Sequence, residues 1–166
     1  MLNLLKQTGL RFLWISVIVF VVDQASKMAI VNAMYEFESI QITSFFNLFY
    51  VHNHGAAFSF LSNASGWQRY FLSAVALIVS ALILWWLRQS NRDQILLPVA
   101  FSFILGGAIG NVFDRIVHGY VIDFLDFYYK TSHWPAFNVA DSAIFLGAVL
   151  LIIDMFKNKE ENKVDD

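Results

Sequence analysis

The chain has 166 residues, of which 58% are hydrophobic and only 14% are charged, and its formal net charge is −2. This composition is too apolar for a soluble domain, and the near-neutral charge argues against a nucleic-acid partner. The absence of cysteine excludes disulfides, thiolate metal sites and a cysteine nucleophile. We therefore expect a single integral membrane domain.

Four stretches are long and apolar enough to cross a bilayer, which takes about 20 mostly apolar residues in a helix. They cover residues 12–31, 70–87, 95–113 and 139–156, and a charged tail follows at 157–166. The first stretch is too long for the apolar part of a signal peptide and contains Asp23 and Lys27, so we expect it to be retained. The sequence thus predicts four transmembrane helices.

The basic residues are distributed unevenly along the chain. Seven of the eleven Lys and Arg residues fall in the two termini and in the link between the second and third spans. These seven are Lys6, Arg11, Arg88, Arg92, Lys157, Lys159 and Lys163. Because basic residues accumulate on the cytoplasmic side of membrane proteins, we expect both termini in the cytoplasm and the two long loops outside.

The two long loops have the composition of strands. Residues 39–43 alternate between polar and β-branched side chains, residues 45–51 are rich in rings, and residues 120–129 combine rings with aliphatic side chains. Alternation and enrichment in β-branched and aromatic residues are typical of short strands. Aromatic rings can also be half buried at a membrane surface.

Asp23 lies inside the first span, where an ionised carboxylate costs about 2.5 to 3.5 kcal/mol unless it is paired. Lys27 follows four residues later and shares a helix face with it. We interpret the two as an ion pair that fixes this helix against its neighbours, rather than as catalytic groups.

The third span ends in a group of glycines and polar residues. Gly106 and Gly110 are spaced so that another helix can approach closely. Asn111, Asp114 and Arg115 share one face at the outward end of the helix. That face predicts a binding site for a polar group, with a simple interfacial cap as the alternative.

Two aspartates flank the second outward loop. Asp123 lies in its apolar, ring-rich segment, and Asp141 opens the fourth span, where either it or Asn138 is a good helix N-cap. Because both border the same loop, the chain can bring the two carboxylates together. In a strand, Asp126 points to the opposite face from Asp123, so only one of these two can join Asp141.

Paired carboxylates in a partly apolar site cannot both ionise easily, so such a pair holds one general acid and one general base and can activate water. The helix N-terminus favours charge on Asp141, and the ring-lined strand favours the neutral form of Asp123. The four histidines show no metal-ligand spacing, and no serine-hydrolase motif is present. Asn53 is left with two readings, an amide aimed at a ligand or the cap of a turn.

Five segments together resemble the lipoprotein signal peptidases, also called signal peptidase II, which are bacterial membrane aspartic peptidases. The segments are 23–27 (DQASK), 53–59 (NHGAAFS), 106–115 (GGAIGNVFDR), 121–124 (VIDF) and 135–142 (PAFNVADS). They occur in the family's order across nearly the whole chain. One departure is Trp134, where the family commonly has Phe before the proline.

The resemblance implies a mainly α membrane protein, with four transmembrane helices, a small extracytoplasmic β-cradle and a loop helix beside the site. It implies that Asp123 and Asp141 form a catalytic dyad and that Asp23 and Lys27 form a supporting polar pair. The residues that it implies shape the site or hold the substrate are Asn53, Asn111, Asp114, Arg115 and Asn138.

The resemblance also implies the substrate, a prolipoprotein whose lipobox cysteine carries diacylglycerol and which is cut on the N-terminal side of that cysteine. We expect a monomer in the bacterial cytoplasmic (inner) membrane, surrounded by membrane lipids, with its active site at the extracytoplasmic face and with no cofactor or metal.

Two other classes of function remain as alternatives. A small transporter would use the Asp23–Lys27 pair and the polar face at Asn111 for solute or proton passage. Transport favours polar residues through the full membrane depth, whereas the second span is almost wholly apolar. A scaffold without chemistry would leave the two aspartates unexplained.

Overall fold

The computed structural model describes residues 7–55 and 66–164, with side chains up to residue 157. Within these residues, four helices are long and apolar enough to cross a membrane, which confirms the expected mainly α membrane architecture. A short 3₁₀ turn (Gly9–Phe12) leads into the first of them. The helices are α1 (Leu13–Ala33), α2 (Gln68–Gln89), α3 (Leu96–Val117) and α4 (Val139–Val164).

The helices extend beyond the apolar stretches that predicted them. α3 continues to Val117, so Asp114 and Arg115 lie within its last turns rather than after it. The backbone of α4 remains helical through the charged tail as far as Val164, because Lys and Glu are good helix formers even where apolar residues end.

α3 lies at the centre of the bundle and packs against the other three long helices. Its glycines permit this close approach. A Cβ added at Gly106 would lie 2.7 Å from the Cβ of Val19 on α1, and one added at Gly107 would lie 2.3 Å from the carbonyl oxygen of Ala140 on α4. Small residues therefore set the distance between α3 and its two neighbours. The spacing predicted this for Gly106 and Gly110, and a Cβ added at Gly110 would lie 2.7 Å from Asp23 Oδ2 on α1.

The two long loops form one antiparallel sheet in the order β1-β2-β3-β4. Its strands are β1 (Ser39–Gln41), β2 (Phe46–Asn53), β3 (Val121–Tyr129) and β4 (Ser132–His133). The strands expected in the ring-rich segments are confirmed, and β4 is an additional one. The sheet rests on the end of α1, where Tyr50, Ile122 and Phe124 pack against Ile30 and Met34.

A tight turn connects α3 to β3 and returns the chain towards the bundle. Gly119 in this turn has a φ of 88°, a conformation that side chains with a Cβ rarely adopt. The turn places β3 directly beside the end of α3, and β3 carries Asp123. The loop helix implied by the resemblance is not among the described elements, and positions 56–65 of the first loop lie outside the described residues.

Candidate active site

Asn138 joins the two aspartates that the sequence singled out. Its side-chain amide donates to Asp123 Oδ1 at 2.7 Å, and its backbone N–H donates to Asp141 Oδ2 at 3.3 Å. In return, the backbone N–H of Asp141 donates to Asn138 Oδ1 at 2.9 Å. Asn138 is therefore the helix N-cap of α4, and both carboxylates lie against it.

Asp123 is almost completely buried on β3, with 1% of the residue exposed. Asn53, at the end of β2, donates its side-chain amide to Asp123 Oδ2 at 2.8 Å. Burial, and secondly the charge of Asp141, raise the pKa of Asp123 to about 7, while the amides of Asn53 and Asn138 act in the opposite direction. The carboxyl group can thus hold a proton near neutral pH.

Asp141 lies in the first turn of α4 and accepts the side-chain amide of Asn111 at 2.7 Å through Oδ1. The carbonyl oxygen of the same Asn111 side chain accepts the Lys27 ammonium and the Asn138 amide, each at 3.2 Å. Hydrogen bonds therefore run from a buried cation on α1 to both carboxylates of the pair.

Lys27 is the cation of a buried charge cluster that also includes two carboxylates. Its Nζ lies 2.8 Å from Asp23 Oδ2 and 2.8 Å from Asp114 Oδ2, and all three side chains are at most 2% exposed. Gln24 bridges the same carboxylates, with its amide 3.0 Å from Asp23 and 2.9 Å from Asp114. The expected Asp23–Lys27 pair is present, and Asp114 completes it from α3.

Arg115 connects α3 to the end of β2. Its guanidinium donates to the backbone carbonyl oxygens of Asn111 at 3.2 Å and Gly55 at 3.1 Å. Its buried Nε has no partner among the described residues. The backbone N–H of Gly55 donates in turn to Asn53 Oδ1 at 3.0 Å. Arg115 thus holds the segment that supplies Asn53 to the aspartate pair.

Asp126 belongs to a different cluster, as the odd offset from Asp123 predicted. It accepts the side-chain amide of Asn47 at 3.0 Å and lies 2.8 Å from His133 Nδ1 on β4. In the described part of the chain, no group of three His, Cys, Asp or Glu residues is arranged to hold a metal ion.

Reasoning from sequence did not assign roles to Gln24 or Asn47, and it gave His133 only a general structural or interfacial role. Gln24 offered the best signal, because it lies between the charged positions 23 and 27 and shares their half of α1. Asn47 is 79 residues from Asp126 in sequence, and the pairing of β2 with β3 brings the two together. His133 is seven residues from Asp126, and the short pairing of β3 with β4 folds it back to that side chain.

A sequence model described as signal peptidase (SPase) II matches residues 15–157. The chain belongs to the signal peptidase II family. Relatives named lipoprotein signal peptidase include one from Alteromonas mediterranea, 64% identical over 100% of this chain and 91% of the relative. Another, from Pseudoalteromonas atlantica, is 61% identical over 96% of this chain and 98% of the relative.

Solved structures agree with the family membership. One described as a bacterial membrane enzyme matches with a TM-score of 0.83 at 28% identity, covering 94% of each chain. Signal peptidase II enzymes are aspartic peptidases, so the chain is a multi-pass bacterial membrane peptidase, as its five motifs predicted. This membership contradicts the transporter and scaffold alternatives.

Proposed function

We propose that this peptidase removes signal peptides from diacylglyceryl-modified prolipoproteins, cutting on the N-terminal side of the lipidated cysteine with Asp123 and Asp141 as its catalytic dyad. The observation that carries the proposal is the placement of a buried carboxylate, Asp123, and a half-buried one, Asp141, on one asparagine, Asn138, with the pKa of Asp123 raised to about 7. Family membership supplies the substrate class.

The two carboxyl groups take opposite roles in hydrolysis. Asp141 accepts a proton from the attacking water while the water oxygen bonds to the scissile carbonyl carbon. Asp123 donates its proton to the carbonyl oxygen, which gives a neutral tetrahedral diol. When the diol collapses, one of its hydroxyl groups returns a proton to Asp123, the carbon–nitrogen bond breaks, and the proton held by Asp141 passes to the leaving amine of the cysteine.

Before substrate binds, three asparagines position the two carboxyl groups of the dyad. Asn53, Asn111 and Asn138 each donate a side-chain amide to one of the carboxylates, and these amides can shift to the peptide backbone of a bound substrate. The buried Nε of Arg115, which has no partner among the described residues, can donate to a substrate carbonyl. Among the described residues, the side chain of Asp114 pairs only with Gln24 and Lys27 on α1 and with the backbone of β3, so we assign it to structural support with Asp23 and Lys27.

The exposed apolar face of α2 supports recognition of a lipid-modified substrate. α2 is largely exposed along its apolar length, so in a bilayer this face contacts lipid. A substrate whose acyl chains and signal peptide stay in the membrane can approach the dyad sideways. The alternative route through water costs about 0.8 kcal/mol for each exposed methylene, which favours lateral entry.

The proposed setting is the cytoplasmic (inner) membrane, with both termini in the cytoplasm, the dyad at the extracytoplasmic face and the enzyme acting as a monomer. The distribution of Lys and Arg supports this orientation. Substrates that have crossed the membrane then reach the dyad from the correct side.

Cleavage of a synthetic diacylglyceryl prolipoprotein by the purified enzyme in bilayers tests the function directly. Mass spectrometry should identify a product that begins with the modified cysteine, and the Asp123→Asn variant should yield none. Cleavage at another bond, or activity that disappears with a chelator and returns with metal, would contradict the proposal.

A further inference from the structure

A cavity of about 570 Å³ lies apart from the dyad at the start of α2. One wall is the first turn of α2 with the residue before it, from Trp67 to Tyr70. The rest of the described lining is Gly66, His54, which follows β2, and His118 and Gly119 after α3. Neither catalytic aspartate borders this space, and the proposed hydrolysis makes no use of it.

The residues that line the cavity favour an anionic ligand. Arg69 lines it together with His54 and His118, and none of its described lining residues carries a carboxylate. Among the described residues, no side chain caps the N-terminus of α2, and its first turn contains no acidic residue. The first N–H groups of the helix and its dipole favour negative charge at this end.

Two buried polar atoms in the cavity wall have no partner in the described structure. Gln68 is 4% exposed, and its Oε1 accepts no hydrogen bond. The Nε of Arg69 is also buried and donates none. A buried polar group without a partner is unfavourable, and a ligand with both an anionic oxygen and a hydroxyl group would satisfy these two atoms.

The turn at Gly119 leaves room for the Arg69 guanidinium. A Cβ added there would lie 2.9 Å from Arg69 Nη1. The guanidinium also lies over the Tyr70 ring, 4.6 Å from its centroid, and donates to the Tyr70 hydroxyl. These contacts hold the cation beside the cavity instead of leaving it free in solvent.

The rim of the cavity is at the level of a membrane surface. α2 begins its apolar span at Gln68, and the rings of Trp67, Tyr70 and Phe71 around its start are each more than half exposed. Exposed aromatic rings at the end of a span are typical of the interface, where lipid phosphates lie. A lipid can therefore place its headgroup in the cavity while its acyl chains follow the apolar face of α2.

We propose that this cavity binds the phosphoglycerol headgroup of an anionic phospholipid. Arg69 and the N-terminus of α2 hold the phosphate, and Gln68 Oε1 accepts a glycerol hydroxyl. His54 follows Asn53, whose side chain supports Asp123, so an occupied cavity also restrains the segment beside the dyad.

Native mass spectrometry of the full-length protein, delipidated in a maltoside detergent, tests this site by titration with phosphatidylglycerol. We expect one tightly retained lipid, weaker retention of phosphatidylcholine and no comparable retention of diacylglycerol. Arg69→Gln should weaken phosphatidylglycerol binding about tenfold, since it removes a charge-assisted hydrogen bond. Lys130→Gln, which removes an exposed basic residue outside the cavity, should leave binding unchanged.

Competition with glycerol 3-phosphate and inorganic phosphate separates a lipid site from a site for soluble anions. Displacement of the lipid by either anion at equal concentration would overturn the proposal, as would equal binding of diacylglycerol or an Arg69→Gln affinity within twofold of wild type. If Arg69→Gln does not fold, His118→Gln serves in its place, with a weakening of about threefold expected from loss of one donor in the opposite wall.

Discussion

Asp23 Oδ1 accepts the backbone N–H of Ala140 at 2.9 Å. This bond ties the first span to the residue directly before Asp141, and the other oxygen of Asp23 pairs with Lys27. The position of Asp141 therefore depends on a buried charge cluster centred on α1. The cluster predicts effects on both stability and activity when its cation is removed.

Lys27→Met should strongly destabilise the protein, because it retains most of the side-chain volume but leaves the carboxylates of Asp23 and Asp114 without their cation. Removing one partner of a buried ion pair typically costs about 3 to 5 kcal/mol. Thermal unfolding in detergent measures the loss, with the exposed Lys130→Met as the matched control. A wild-type melting temperature for Lys27→Met would contradict the role assigned to this cluster.

The architecture was predictable from sequence where its signals are local. A span is recognisable from its own run of apolar residues, and the strands from ring-rich alternating segments, because each depends on the residues it contains. The offset of three between Asp123 and Asp126 likewise fixes their opposite faces through strand geometry alone.

The contacts of the site depend on register and packing, which sequence does not specify. The pairing of β2 with β3 shifts between Leu48 and Val51, and this irregularity determines which residue of β2 lies beside Asp123. Asn138 was read as a helix cap or a substrate ligand, and its bridge between the aspartates appears only once β3 and α4 are placed together. Asp114 was predicted to belong to a polar binding face, and its ion pair with Lys27 appears only once α1 and α3 are packed together.

Asp123→Asn and Asp141→Asn should each lower kcat by about 10²-fold to 10⁴-fold, since each removes a titrating group and retains the size of the side chain. Asp126→Asn should remain substantially active, because Asp126 contacts Asn47 and His133 rather than the dyad. Cleavage rates and melting temperatures of the three variants are measured together. An inactive Asp126→Asn beside a normal Asp123→Asn would reverse the assignment of strand faces.

The raised pKa of Asp123 predicts how activity depends on pH. Because Asp123 donates its proton to the scissile carbonyl, kcat/KM should fall as the pH rises through about 7, the pKa that burial and the charge of Asp141 impose on this group. If kcat/KM stayed constant up to pH 9, a group other than Asp123 would have to donate the proton.

The same shift links stability to pH. The Asp123 carboxyl titrates near 3.8 when unfolded and near 7 when folded, so its contribution to stability is complete below 3.8 and is lost as the pH rises through about 7. Asp123→Asn has no such titration, so its melting temperature should rise relative to wild type between pH 4 and 8. A constant difference would show that Asp123 is not buried in this way.

The orientation predicts which single cysteines are accessible from each side, and the chain is well suited to the test because it has no cysteine of its own. A cysteine at Asn91, between α2 and α3, should react only after the cytoplasmic side is exposed. A cysteine at Lys130, between β3 and β4, should react with an impermeant reagent from outside. The reverse pattern would place the dyad on the wrong side for exported substrates.

The last prediction concerns the contribution of the lipid to specificity. If the acyl chains of the substrate remain in the bilayer, they fix the depth and register of the scissile bond, and the asparagines and Arg115 then need to bind only a short length of backbone. An unlipidated precursor of identical sequence loses that anchor, and each methylene that no longer contributes is worth about 0.8 kcal/mol of burial. Its cleavage should therefore be at least about 100-fold slower in kcat/KM than that of the diacylglyceryl form in the same bilayer, which corresponds to only a few methylenes of binding energy. Rates are compared with both precursors at equal density in the membrane, so that partitioning does not enter. Equal values of kcat/KM would mean that the acyl chains do not determine register, and the protein would then be a general aspartic peptidase located in the membrane.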